Sequence, residues 1–418
     1  MTAVPESPVL ADPTTPTVRV RARWIIAFTL AVVGVAAGWF GPIQILLPAQ
    51  AARLEDLGLG GKEAILAIVT ATGAVVSMIA NPLWGGISDR TRSRWGRRRP
   101  TIVAGTAVGV VGLVVLGTGD TLPVMIGGWV AIQIGLNGPF AALAATIADR
   151  VPPDQRGLVG ALFGIAQTVG VVLGTAIAVV AGEGRLGYYA IAIAVPALVV
   201  AFLLVHREPS TRTSDAPTPQ RAALAFWRGL RPTRLFVWAW TIRFLVNLVN
   251  ALVLLYLYFY LSDEVGESDP GSWVLVVTLL VVVVAAATAG VAGTLSDRWG
   301  RRVPFIVAAT VVLAAGSVLL AVVPELPVVL GAAGLVGIGW GLYISVDLAV
   351  LTAGMPSDET HGAMLGIGNI ASALPQALAP VVAAPIVLHL GGYTGLYLVA
   401  AVVCVAALLC VPGLRGIR

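Results

Sequence analysis

The sequence predicts an all-α membrane protein of twelve transmembrane helices arranged as two pseudo-symmetric six-helix bundles. Three observations carry this. Only 11% of the 418 residues are charged, 58% are apolar and the mean hydropathy is +0.92; a soluble chain of that composition would precipitate, so its solvent is lipid. Apolar runs near or above the roughly 20 residues needed to cross the hydrocarbon recur twelve times. The basic stretch GGISDRTRSRWGRRRP at 85–100 also returns as GTLSDRWGRRVP at 293–304. The copies align Gly85, Asp89, Arg90, Arg97 and Arg98 with Gly293, Asp297, Arg298, Arg301 and Arg302. Asp89 and Asp297 stand 208 positions apart, close to half the chain, the mark of an internal repeat.

Taken in order, residues 1–18 are rich in Pro and Thr and nearly free of basic charge, which predicts a disordered tail rather than a signal peptide. The first bundle, 19–205, holds predicted spans at 24–49, 63–86, 101–118, 123–148, 157–182 and 187–205. Residues 206–233, polar and rich in Pro and Thr up to Pro219, read as a linker; its later part, with Phe226 and Trp227 among arginines, suits a membrane surface. The second bundle, 234–418, holds spans at 234–261, 272–294, 304–323, 327–353, 361–388 and 393–412. In the eleventh, Pro375, Pro380 and Pro385 predict kinks.

Orientation follows from counting. With the N-terminus inside, 22 of the 26 Lys and Arg residues fall in cytoplasmic segments, three outside and one, Arg243, within a span. Acidic residues show no such bias, as the positive-inside rule expects. Both termini are therefore predicted to be cytoplasmic. The net charge of +5 is explained by these short loops and not by a nucleic-acid partner. Cys404 and Cys410 point to different faces of one helix, which excludes a mutual disulfide or a metal site.

Few polar residues interrupt the spans. Arg243, Asn247 and Asn250 recur at i, i+4 and i+7 on one face of the seventh, and Tyr343 precedes Asp347 by one turn on the tenth. Gln133 and Asn137 form a similar stripe on the fourth, and Gln44 follows Gly41-Pro42 on the first. Counted from the cytoplasmic ends of their helices, Arg243 and Asp347 lie at the same depth, roughly 13 Å. Each costs several kcal/mol if left unpaired, so they are expected to face each other. The bland alternative is a static pair that only positions helices. The steps Gly160-xxx-Gly164 and Gly362-xxx-Gly366, at equivalent places on the fifth and eleventh spans, predict close helix packing where the halves meet. The aromatic run Tyr256, Tyr258, Phe259 and Tyr260 reads by default as an outer interface belt, with a cavity-facing Tyr256 as the alternative.

The paired basic loops resemble the signature loop of the major facilitator superfamily, and the longer first copy, SDRTRSRWGRRRP, is most similar to the glycoside–cation symporter and sucrose transporter branches. The resemblance covers residues 24–412. It implies that the loops form a gating latch: Asp89 near His361 at the start of the eleventh helix, and Asp297 near Arg156 at the start of the fifth. It also implies that helices one, four, seven and ten line a central cavity; Gln44, Gln133, Asn137, Asn247, Asn250 and Tyr343 all fall there, as do Arg243 and Asp347.

The function so implied is secondary active transport across the plasma membrane, a proton-coupled symport of a sugar-like or other polar solute. The partners are a small molecule, protons or another cation, and membrane lipid; the protein is expected to be a monomer without cofactor or metal. A drug–proton antiporter is the alternative, although Gly170 to Gly174 lacks the Gly-Pro step usual in that group. A receptor would be expected to lose its buried charges or gain a soluble domain. An intramembrane enzyme needs a nucleophile–base pair or metal cluster that the spans do not offer.

Overall fold

The structure, a computed structural model, describes residues 18–208, 210, 232–355 and 361–415. The predicted tail at 1–18, except for its last residue, and most of the predicted linker at 206–233 lie outside the described residues. Among those described, twelve helical spans are long and apolar enough to cross a membrane and no strand occurs. The spans are Ala22–Asp56 (1), Lys62–Arg90 (2), Arg98–Leu116 (3), Leu122–Arg150 (4), Pro153–Ala181 (5) and Arg185–Val205 (6) in the first half. The second half supplies Arg234–Leu255 (7), Pro270–Trp299 (8), Val303–Val322 (9), Leu326–Ala353 (10), Ile367–His389 (11) and Gly392–Leu414 (12). With no water in hydrocarbon, the helix satisfies the backbone within each segment.

Packing follows the repeat. Span 4 packs on spans 2 and 3 and span 1 on spans 5 and 6; correspondingly span 10 packs on spans 8 and 9, and span 7 on spans 11 and 12. The halves meet along spans 2 and 11 and along spans 5 and 8. Both signature loops share local devices. Gly96 at φ +87° and Gly300 at φ +59° take the left-handed conformation that turns the chain after Trp95 and Trp299, which explains the repeated Trp-Gly. Ser88 Oγ and Ser296 Oγ then donate to the carbonyls of Arg97 and Arg301 at 3.4 and 3.3 Å.

Two spans depart from straight helices. At Pro42, whose missing N–H breaks the i→i−4 ladder, span 1 widens into a π-helical turn over Pro42–Leu46 before continuing to Asp56. Span 7, predicted as continuous to 261, stops at Leu255; Tyr256 leaves helical geometry and a short helix, Leu257–Asp263, follows.

On span 5 the close helix approach is not where the Gly160-xxx-Gly164 step predicted it. A Cβ at Gly160 or Gly164 would meet nothing within 4 Å, whereas Gly174 in the same span lies against the backbone of span 1. There a Cβ would come within 2.5 Å of the Ala37 carbonyl oxygen and 2.8 Å of the Gly41 amide nitrogen. The side chains at 361–363, 365 and 366, which include the step on span 11, lie outside the described residues. Gly→Ala normally favours a helix by about 1 kcal/mol. Gly174→Ala is expected to reverse that sign, costing about 1–3 kcal/mol by overpacking against backbone. A lower melting midpoint of the detergent-purified Gly174→Ala variant, with that of Gly160→Ala unchanged or raised, is the expected result.

Candidate functional site

Among the described residues, the one ion pair with both partners away from the ends of their spans sits in the second half. Arg243 Nη1 of span 7 lies 2.7 Å from Asp347 Oδ2 of span 10, with only 13% and 17% of their side chains exposed. The contact is an ion pair without the alignment of an N–H···O bond. Arg243 Nε donates to Ser372 Oγ of span 11 at 2.8 Å, and Tyr343 Oη donates to Asp347 Oδ1 at 2.5 Å. The i, i+4 spacing places Tyr343 one turn from Asp347. Asn247 is buried and donates to the Arg243 carbonyl at 2.8 Å, so it serves its own helix rather than the ion pair. Ser372 is a member that sequence reasoning missed: one serine on an apolar helix carries no signal until span 11 packs on span 7.

The remaining predicted cavity residues are spread over three spans. Gln44 lies half-buried in the π turn, which packs against spans 7 and 8, and accepts a hydrogen bond from Thr175 Oγ1 at 2.6 Å. Asn137 is buried; its amide donates to Ser77 Oγ of span 2 at 3.0 Å and to the Gln133 carbonyl at 2.7 Å, so it ties span 4 to span 2. Gln133 and Asn250 are half-buried.

The two ends of the molecule differ. At the Lys62 end the halves are joined by side chains. Lys62 Nζ lies 2.7 Å from Asp263 Oδ1, and the Tyr393 hydroxyl lies 2.9 Å from both Glu63 Oε1 and Asp263 Oδ2, with a single proton to donate between them. Tyr256 donates to the Glu63 carbonyl at 3.2 Å, and Tyr258 donates to Glu183 Oε2. The aromatic run predicted as a lipid belt is thus a correction: Tyr256, Tyr258, Phe259 and Tyr260 are all buried, with Tyr256 and Tyr258 at the seam between halves, because their hydroxyls find partners there that lipid cannot offer. Sequence reasoning missed this cluster, since Glu63, Glu183 and Asp263 look like ordinary loop and helix-end charges.

At the arginine-rich end each signature loop is satisfied within its own half. Arg98 Nη1 pairs with Asp89 Oδ1 at 2.6 Å and its Nε with Asp149 Oδ2 at 2.8 Å, while Arg97 pairs with Asp149 Oδ1 at 2.6 Å. In the second loop Arg302 Nη1 donates to the Ala349 carbonyl at 3.0 Å; Asp297, Arg298 and Arg301 are exposed, and Asp297 has no ion pair among the described residues. Arg156 donates to the Val151 and Ala148 carbonyls beside it. Asp89 therefore pairs with Arg98, and Asp297 does not meet Arg156; the side chain of His361, the predicted partner of Asp89, lies outside the described residues. Arg90 is exposed. A Cβ at Gly85, Gly157, Gly160 or Gly293 would meet nothing within 4 Å, so these glycine faces of spans 2, 5 and 8 are open among the described residues.

Twelve apolar helices in two related bundles, joined by side chains across the seam at one end, define a multi-pass membrane protein built from an internal repeat. The family model for the Major Facilitator Superfamily matches residues 24–380 and 270–417. The chain belongs to that superfamily. Among curated relatives, the ectoine/proline transporter of Corynebacterium glutamicum is 24% identical over 352 residues, 74% of this chain and 68% of that protein. A sucrose transport protein of Arabidopsis thaliana is 23% identical over 163 residues, 34% of this chain; the match spans 26% of that protein's length. A peptide transporter of the POT family superposes with a TM-score of 0.76 at 14% identity, covering 96% of each chain. The nucleoside transporter NupG does so at 0.72 and 12%, covering 94% of this chain and 100% of its own. These structural likenesses concern the fold.

Two expectations follow from this geometry. Removing one partner of a buried ion pair costs about 3–5 kcal/mol, because a charge is orphaned. Arg243→Ala is expected to lower the melting midpoint more than Arg243→Ala with Asp347→Ala, and equal losses would show that the pair is not coupled. The second concerns Glu183, in the loop between spans 5 and 6, which burial lifts above the ordinary carboxylate range despite the Tyr258 hydroxyl. A carboxyl whose pKa is raised in the closed seam holds its proton more tightly there than when exposed. Its contribution to closure is complete below the ordinary carboxylate range and is lost as pH rises through the raised value. Labelling of a cysteine at buried Thr278, without the native cysteines, should increase with pH, and Glu183→Gln should flatten that dependence.

Proposed function

We propose that the protein is a secondary active transporter that moves a small polar solute by alternating access, with Asp347 as its proton-coupling group. The buried Arg243–Asp347 pair is the observation that carries this reading. Charges within spans are costly and are retained for function. Here one guanidinium is held by a carboxylate from span 10 and a hydroxyl from span 11, so protonating Asp347 leaves Arg243 with only neutral partners. A second anion, or a rearrangement of spans 7, 10 and 11, then compensates the cation, and loss of the proton restores the pair. The site is bistable in the sense that coupling requires.

The Arg/Lys bias supports cytoplasmic placement of the arginine-rich end in the plasma membrane, with both termini inside. In that orientation the Lys62–Asp263 and Tyr393 contacts support a conformation closed to the outside, and the open glycine faces of spans 2, 5 and 8 support access from the cytoplasm. The alternate state closes the other end: Asp89 and Asp297 exchange their present surroundings for the starts of spans 11 and 5, near His361 and Arg156, while the Lys62–Asp263 and Tyr393 contacts separate. Half-buried amides at Gln44, Gln133 and Asn250, with the buried Asn137, Asn247 and Tyr343 on spans 4, 7 and 10, support a solute rich in hydroxyls or a zwitterion. Relatives named for sucrose and for ectoine and proline support the same chemistry.

In proteoliposomes, an inward-acid pulse or its reverse is expected to drive accumulation of the solute by wild-type protein. Asp347→Asn should abolish uphill accumulation while sparing counterflow. A variant that still concentrates solute against its gradient would remove Asp347 from the coupling role.

A further inference from the structure

A cleft of about 450 Å³ opens at the arginine-rich end, where the start of span 1 meets the ends of spans 4 and 6. Three arginines line it, Arg23, Arg150 and Arg207, together with Trp24 and Leu204. All three arginines are exposed, and none pairs with an acid among the described residues. The neighbouring acids are already taken. Asp154 pairs with Arg19 at 2.8 Å, and Asp149 with Arg97 and Arg98. Glu208 accepts from the Arg98 amide at 3.0 Å and lies 3.0 Å from His206 Nε2.

The back of the cleft is fixed. The indole Nε1–H of Trp24 donates to His206 Nδ1 at 3.0 Å; an indole can only donate, so Nδ1 is the acceptor and the ring proton sits on Nε2, directed at Glu208. The buried histidine is thereby held in one orientation, and the arginines stand around a rigid wall as surplus positive charge. Span 1 opens without a side-chain cap, since Arg21 offers none, so its first amides add to the attraction for an anion.

We propose that this cleft binds the phosphate headgroup of an anionic phospholipid from the adjoining leaflet. A guanidinium cluster suits a phosphate ester, and a basic pocket between spans at a membrane face suits a lipid headgroup. A lipid rather than free phosphate is favoured by the apolar side of the cleft. Leu204, which lines it, is 75% exposed, and Val200, one turn along the same helix, is 45% exposed, so an acyl chain continues the site toward the hydrocarbon. The occupant bridges spans 1, 4 and 6 of one half and leaves the Arg243–Asp347 site untouched.

The test is equilibrium binding of fluorescent phosphatidylglycerol and phosphatidylcholine to the full-length protein in detergent, with inorganic phosphate as competitor. Wild-type protein is expected to bind the anionic lipid at least about tenfold more tightly than the zwitterionic one, and phosphate should not displace it. Arg150→Gln and Arg207→Gln should each weaken phosphatidylglycerol binding about fivefold, and the triple change with Arg23→Gln on the order of 100-fold. Arg415→Gln, at the same end but outside the cleft, should leave it unchanged. Equal affinity for the two lipids on wild-type protein would overturn the proposal without recourse to any variant. So would complete displacement by phosphate, which would mark a site for a free anion, or a folded triple variant that binds as wild type does.

Discussion

A bilayer offers no water to a polar group, and the architecture follows from that constraint. Backbone amides are satisfied within helices, several span hydroxyls donate to carbonyls one turn back in their own helix, and a few polar side chains reach partners on neighbouring spans. Arg243 illustrates the consequence. A guanidinium in span 7 draws a carboxylate from span 10 and a hydroxyl from span 11, so one charge organises three helices of the second half. The same demand gathers Tyr256, Tyr258 and Tyr393 at the seam, where Glu63, Glu183 and Asp263 accept their protons.

Asymmetry between the ends arises from the kind of contact each uses. At the Lys62 end, side chains from opposite halves pair directly. At the arginine-rich end, each loop closes on itself through the left-handed Gly96 and Gly300 and through serine contacts to the next turn. The first loop has a second carboxylate, Asp149, that engages Arg97 and Arg98; in the second loop Arg302 turns to a backbone carbonyl. The repeat has thus kept its backbone device and let its electrostatics diverge. The first loop is the more firmly held within its own half.

Small residues serve two purposes that spacing does not distinguish. Gly170 and Gly174 let spans 5 and 1 touch through backbone inside the first half, and that contact belongs to a rigid bundle. Gly85, Gly160, Gly164 and Gly293 line surfaces that stand open in this conformation. Open glycine faces at one end of an otherwise close-packed seam are what a molecule needs if its halves are to approach there without steric cost.

The sequence by itself determined the class, the number of spans and the repeat, because hydropathy and helix length are local properties set by lipid thickness and because the signature loop is contiguous. It also marked Arg243 and Asp347, since a charge in a span is conspicuous whatever it touches. Their partner Ser372, the burial of the aromatic run and the place where helices approach most closely were decided only by tertiary structure. An isolated serine, a tyrosine near a membrane face and a Gly-xxx-Gly step read the same in many contexts. Which helix stands opposite, and at which end the halves are joined, depends on contacts between residues that are hundreds of positions apart, such as Glu63 and Tyr393. Spacing along one chain carries no information about that.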